Sequence, residues 1–512
     1  MILKNFILLL LFLNIISCTS VKKHNQFRET LIAPEKLHHD VDFAYRKLQE
    51  LHPDLYAYIS KERLHTQFDS LKATIREPLK PNAFYQKLAP VIAKVKQGHL
   101  RLYSYEKWLT KQETKKLKNK KGLWSRFNFI VDGDRIFVLD NADKIPNMEV
   151  GTELLKINDE SVSEMLNRYK VYVNSDGYNT TFQKYYMAKA WPKFFTLEKG
   201  NLDSVKLQTR LLQKTNEFFL TNETKSKTEK KAERKEVKTK ENLQKNKDYN
   251  AKTKSYNRDI TFKGKDSSIA VMTIKSFSGY RSKKFYKESF EKLRKNNCKA
   301  LIIDMRNNFG GSLSEINNLY SYLAHEKFQF IKDIEVTSGK SMYHADYFKH
   351  FSIIGKPFAV ALYPFYFIVT TFSNKNKDGR HYLRNNTIFT LKNPKKTAFT
   401  GKVYVLINGG SFSAASILPS KLKNDQLAFL VGEETGGAND GTVAGRYATE
   451  QLPNSKLKLP IGLMLIQPDI NFTHTQRGVL PDLTIIPTLQ ENLQKKDVQM
   501  EALMAEIEKN LN

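Results

Sequence analysis

Three apolar runs of strand length constrain this chain most: Ser268–Ile274, Ala300–Met305 and Lys402–Ile407, each followed by a loop and then a helical pattern. A run with no polar face has nothing to offer water, so it must be covered on both sides; strand, loop and helix in repetition give a mostly parallel sheet layered by helices. The expected class is α/β. With 512 residues and 40% hydrophobic content, the chain is long enough for two to four domains and a substantial core. A further run, Phe358–Phe372, is apolar and aromatic but broken by Pro364. It reads as core strands or a substrate-facing wall, not a membrane span.

The formal charge of +30 would ordinarily suggest nucleic acid or an anionic surface. No nucleic-acid motif accompanies it and the basic residues are scattered among acidic ones, so nucleic acid is not an expected partner. Two cysteines, Cys18 and Cys298, exclude a disulfide framework and a cysteine zinc site. No metal or cofactor is expected. Cys298 precedes a buried strand and reads as a small packed residue.

At the N-terminus, Lys4 precedes an apolar run from Phe6 to Ile16, then Ser17-Cys18. The run is shorter than the ~20 residues a permanent span needs and fits the core of a signal peptide. Ile15-Ile16-Ser17-Cys18 resembles a bacterial lipobox, which implies cleavage before Cys18, lipidation of its thiol and a membrane-anchored chain facing the periplasm or cell exterior.

Residues 18–110 read as an N-terminal helical region. Asp40–Leu48, Phe68–Ile75 and Phe84–Val95 carry helical spacing, Pro53 and Pro81 mark breaks, and alternation over Gln97–Leu102 predicts a strand. Residues 125–142 predict a hairpin about Asp132-Gly133. Val150–Ser161 resembles the core strand and turn of a PDZ-like module, assigned to 120–215. Residues 221–258 are rich in Lys with almost no large apolar side chain, and read as a mobile insertion or frayed charged helix. An α/β core over 259–490 and a C-terminal helix over 491–512 complete the division.

Two loops can carry chemistry. Asp304–Ser312 ends a buried strand with Gly310-Gly311, whose backbone N–H groups can turn toward a ligand. Asn408–Ser416 repeats the pattern before a helix, where free N–H groups favour negative charge. Ser411 there is also a good N-cap, and Ser413 could be an ordinary helix residue.

Taken together, Gly98-His99-Leu100, Ile303–Gly311, Leu406–Ala415, Val431–Gly437 and Gly478-Val479-Leu480-Pro481-Asp482 resemble, in order, the tail-specific or C-terminal processing serine proteases and their tricorn-type relatives. The resemblance spans most of the mature chain. It implies a crotonase/ClpP-like core, Ser413 as nucleophile, and an oxyanion hole from Gly310 or Gly311 with Ala414. The lysine that processing proteases use falls at Ala438, and no lysine lies between Lys423 and Lys456. The tricorn-type histidine corresponds to His99, whose ordinary pKa of ~6.5 leaves it able to accept a proton near pH 7.

Two departures stand out. Gly98 replaces the tricorn-type serine, and Thr475 stands near the position of the closing glutamate. The group orienting His99 is thus open among Glu434, Asp440 and Asp469, with Thr475 or Gln476 as weaker substitutes. The expected activity is a lipid-anchored serine endopeptidase acting on peptides or protein tails, the alternative an inactive relative that binds peptides.

Overall fold

The computed structural model describes residues 20–226, 228–229, 248–250, 255–264, 266–279, 281–352, 355–384, 390–471 and 476–511. The signal segment, Cys18 and Thr475 lie outside the described residues, as does most of the Lys-rich segment 221–258.

Helices α1 (Pro34–Leu51), α2 (Lys61–Ala73) and α3 (Pro81–Ala93) form where the sequence punctuates them. Proline occupies the first turn of α1 and α3, and Ser60 caps α2 by accepting from the Arg63 N–H. Leu37, Val41, Ala44 and Leu48 form the buried stripe of α1. The strand expected over Gln97–Leu102 does not form. Gly98 and His99 make a turn, and of this stretch's continuation only Tyr103 bridges to Lys458. The alternation reflects Leu100 and Leu102 entering the core, while the Gly98 N–H goes to the Asp176 carboxylate at 2.7 Å instead of to a neighbouring strand.

The next unit is an antiparallel sheet in the order β1 (Phe127–Asp132), β2 (Arg135–Asn141), β3 (Glu153–Ile157), β4 (Ser204–Leu211), β5 (Lys214–Thr221). Asp132 pairs with Arg135 across a two-residue turn in which Gly133 takes φ 58°. Helices α4 (Val162–Lys170) and α5 (Thr181–Lys199) lie between β3 and β4 in sequence. Trp191 of α5 is fully buried against Trp124 and Phe129.

Beyond Arg258 the chain runs β6 (Arg258–Lys263), β7 (Ile269–Ile274), α6 (Ser282–Lys295), β8 (Ala300–Asp304), α7 (Leu313–Tyr320), β9 (Glu335–Val336), α8 (Lys356–Phe372), β10 (Asn374–Lys377) and β11 (Arg380–Leu383). It continues through β12 (Lys402–Ile407), α9 (Ala414–Asn424), β13 (Phe429–Gly432), β14 (Thr442–Gln451), β15 (Lys458–Ile466), β16 (Leu483–Thr484) and α10 (Val498–Leu511). The principal sheet has the order β6-β7-β8-β12-β13-β16, parallel throughout except for edge strand β6. A second, antiparallel sheet runs β10-β11-β9-β15-β14. This is a mixed α/β protein, as the apolar runs require.

Phe358–Phe372 is not core strand. It forms most of α8, with Ala359, Tyr363, Tyr366 and Thr370 on the inner face, the partly exposed Phe367 ring stacked on Tyr343, and the other apolar side chains outward. Pro357 suits the first turn, and Pro364 would have removed a ladder hydrogen bond from any strand placed there.

Candidate active site

Parallel pairing of β8 with β12, Ile303 opposite Val405, places their carboxyl-end loops side by side. In such sheets this end holds the crevice for ligands. The two loops are stitched together: Asn307 and Gly410 N–H both donate to Asn408 Oδ1 at 2.9 and 3.0 Å, and the Phe412 N–H donates to Asn308 O at 3.0 Å. Ser411, an N-cap candidate from sequence, is instead fully buried, its hydroxyl donating to Met305 O at 2.8 Å. Below them, Arg306 pairs with both Asp304 and Asp497, fixing the loop to the approach of α10.

This bracing forces Ser413 into φ 58°, ψ −123°, a region that a residue with a Cβ enters only under constraint. It stands at the N-terminus of α9 with no capping bond from its side chain, and is half-buried between buried Phe412 and Ala414. Gly310 takes φ 96°, and a Cβ there would lie 2.7 Å from Phe412 O, 2.8 Å from Ser413 Cβ and 3.0 Å from Ala414 N. Only glycine lets the first loop approach the serine this closely. The Gly310 N–H, however, already donates to Asn308 Oδ1 at 2.9 Å. Among the described residues the N–H groups of Gly311 and Ala414 have no acceptor within the chain.

His99 is brought to the same place. Its ring centroid lies 4.9 Å from that of Phe412, the neighbour of Ser413, although no hydrogen bond joins His99 to Ser413 in this arrangement. Burial, reinforced by the Arg101 charge, depresses its pKa to about 4, so the imidazole is neutral at pH 7. The Tyr447 hydroxyl lies 3.2 Å from Nδ1, and Nε2 is buried with no partner among the described residues. The tautomer protonated on Nδ1 donates to Tyr447 and leaves the Nε2 lone pair available.

None of the three carboxylates offered by sequence bonds to this ring. Glu434 accepts from Arg477 Nη2 and the Gly478 N–H, both at 2.8 Å, tying the fourth motif to the fifth. Asp440 is buried near Tyr58 and Asp176, whose pKa values are raised by burial with Asp440 adding to the rise. Asp469 lies beside Tyr320, whose hydroxyl contacts Asp425 at the far end of α9, roughly 18 Å along the axis from Ser413 at ~1.5 Å per residue. Gln476 Nε2 reaches Ala57 O at 3.5 Å. Ala438, at the lysine position of processing proteases, is buried and bridges to Gly478.

Sequence reasoning missed Tyr447 and Asp176. Asp176 is fully buried under the Gly98 turn, and burial, with the charge of Asp440 adding, raises its pKa to about 7. Neither sits in a motif. The only signal available was negative, the glycine at 98, whose missing side chain leaves room for Asp176 Oδ1 and the Phe412 ring.

Residues 268–485, carrying both loops and every strand from β7 to β16, match the sequence profile described as Peptidase family S41. The chain carries a peptidase family S41 domain. By that domain it is a serine-type peptidase. The chain is similar in structure to mature CPAF complexed with lactacystin, with TM-score 0.59, 15% identity and coverage of 93% of this chain and 98% of that one. It is likewise similar to mature CPAF alone, with TM-score 0.57, 15% identity and coverage of 90% and 95%. The photosystem II D1 C-terminal processing protease also matches, with TM-score 0.42, 14% identity and coverage of 89% and 96%. No curated protein matches the chain significantly.

Proposed function

We propose that this S41 domain is an endopeptidase that cleaves peptides or protein tails through an acyl-enzyme on Ser413, with His99 as general base. The observation that carries the reading is the strained, half-buried Ser413 held against Gly310, with a neutral buried imidazole beside its neighbour Phe412. In the forward step the Ser413 hydroxyl proton passes to His99 Nε2 as Oγ attacks the scissile carbonyl carbon. The tetrahedral oxyanion accepts from the Gly311 and Ala414 N–H groups. Collapse breaks the C–N bond, and His99 returns its proton to the leaving amine. Water, deprotonated by His99, then attacks the acyl carbon; the bond from that carbon to Oγ breaks, His99 returns the proton to Oγ, and the carboxylic acid product leaves.

A cavity of about 1210 Å³ runs from Trp124 and Phe129 past Tyr185 and Lys189 to Asn307, and takes a peptide segment of apolar and acidic character. The β1–β5 sheet with α4 serves as the PDZ-like, peptide-end-binding part, and β6–β16 as the crotonase/ClpP-like core. Acylated Cys18 holds the chain at the cell envelope.

A second reading, peptide binding without cleavage, draws on the unbonded Ser413–His99 pair and the lack of a carboxylate on the ring. A fluorophosphonate probe separates the two. Labelling of the intact protein that disappears in Ser413→Ala and falls strongly in His99→Ala is expected; peptide binding with no labelling selects the second reading.

A further inference from the structure

We infer that α8 is a second membrane contact, a helix that lies in the headgroup region of a bilayer and does not depend on lipidation at Cys18. Phe358 and Phe365 are 67% exposed and Phe372 73%, and Val360, Leu362, Phe367, Ile368 and Val369 are exposed with them. No charged residue occurs from 357 to 372. An apolar face of this extent on a soluble surface marks a place that something covers.

The helix cannot bury that face by turning over. Its inner side is fixed: the Tyr366 hydroxyl donates to Met342 O at 3.1 Å, Tyr343 and Thr371 hydroxyls meet at 2.8 Å, and the rings of Tyr347 and Tyr366 pack with centroids 4.4 Å apart. Nor is it built to cross a bilayer. Its 17 residues span about 25 Å against a hydrocarbon core of ~30 Å, and no helix among the described residues is long and apolar enough to span.

Charge selects the occupant. Lys356 precedes the apolar stretch, and Lys375, Lys377, Arg380 and Arg384 follow it, against a single acid, Asp378, in that flank. Lys375 and Arg380 pair with Asp333 and Glu335, leaving a net positive fringe on a chain of formal charge +30. Basic ends about an apolar, aromatic face fit anionic headgroups over acyl chains. A second copy docked symmetrically on the same face would set these cations against their own equivalents.

The test places a polarity-sensitive dye on the full chain through Phe365→Cys in a Cys18→Ser background, Cys298 being buried. A control dye is carried by Leu212→Cys, 91% exposed in the β4–β5 turn. With vesicles of phosphatidylcholine and phosphatidylglycerol, emission from position 365 shifts to the blue and is quenched by lipid-borne quenchers, while position 212 is unchanged. No shift at 365, or equal quenching at both positions, overturns the inference. A blue shift without vesicles that grows with protein concentration overturns it in favour of a second copy. The triple variant Phe358→Ser/Phe365→Ser/Phe372→Ser, all three side chains being outward, binds these vesicles at least tenfold more weakly with unchanged thermal unfolding; equal binding also counts against α8. Because Cys18→Ser removes lipidation throughout, failure here leaves the envelope anchor and the peptidase reading standing.

Discussion

Around Ser413, the residues that matter come from two short loops at the ends of adjacent parallel strands, and backbone and amide bonds cross-link them at 2.9–3.0 Å. Around His99, support arrives from segments scattered over the chain: Asp176 beneath Gly98, Tyr447 on Nδ1 and Phe412 against the ring. The first arrangement stores strain in a fixed geometry. The second holds a neutral imidazole in a buried site with a single hydroxyl on the ring, and Arg101 adds to the cost of charging it. The contrast teaches that the position of Ser413 is set by local backbone bracing, whereas the protonation of His99 is set by what burial brings near it.

Gly310→Ala tests the bracing most severely. The added methyl meets Phe412 O and Ala414 N at 3.0 Å or less, so probe labelling and peptide hydrolysis fall by about 10²-fold or more, with a stability loss of a few kcal/mol. Retained activity would mean that the serine loop is not rigidly set. Tyr447→Phe tests the histidine side: the ring loses its Nδ1 partner, and kcat drops by about tenfold to 10²-fold, the scale seen when a ligand-orienting partner is removed, with KM little changed. A matching change in KM alone would place Tyr447 in substrate binding instead.

The smallest effect separates two opposed titrations. His99, at about 4 when folded and ~6.5 when unfolded, leaves the unfolded chain holding more protons, so it costs stability as pH falls from ~6.5 to about 4. Asp176, at about 7 when folded against 3.8, keeps its proton in the folded state and costs stability as pH rises from ~4 through about 7. Asp176→Asn preserves an acceptor for the Gly98 N–H and removes the charge. Melting curves should show it stabilised by about 2–3 kcal/mol more at pH 8 than at pH 5. Equal effects at both pH values would remove Asp176 from the titration account.

Much of this was readable from residues alone. The runs that became β7, β8 and β12 had to be buried parallel strands because they carry no polar face, and glycines 310 and 311 marked the close approach at their ends. The same reasoning failed at Gln97–Leu102 and Phe358–Phe372. Alternation in the first and an apolar run in the second report which side chains avoid water and not whether a neighbouring strand exists to pair with.

The sequence by itself therefore determined the α/β layering and the serine turn, since both follow from interactions over a few residues: apolar periodicity, and glycine where a Cβ cannot fit. Only the tertiary structure decided what surrounds His99 and which face of α8 meets solvent. Asp176 lies 78 residues and Tyr447 348 residues from the segment each supports, and no local pattern constrains contacts across such separations. They exist because chain folding closes those loops, and the desolvation that sets the site's proton affinities exists only once they are closed.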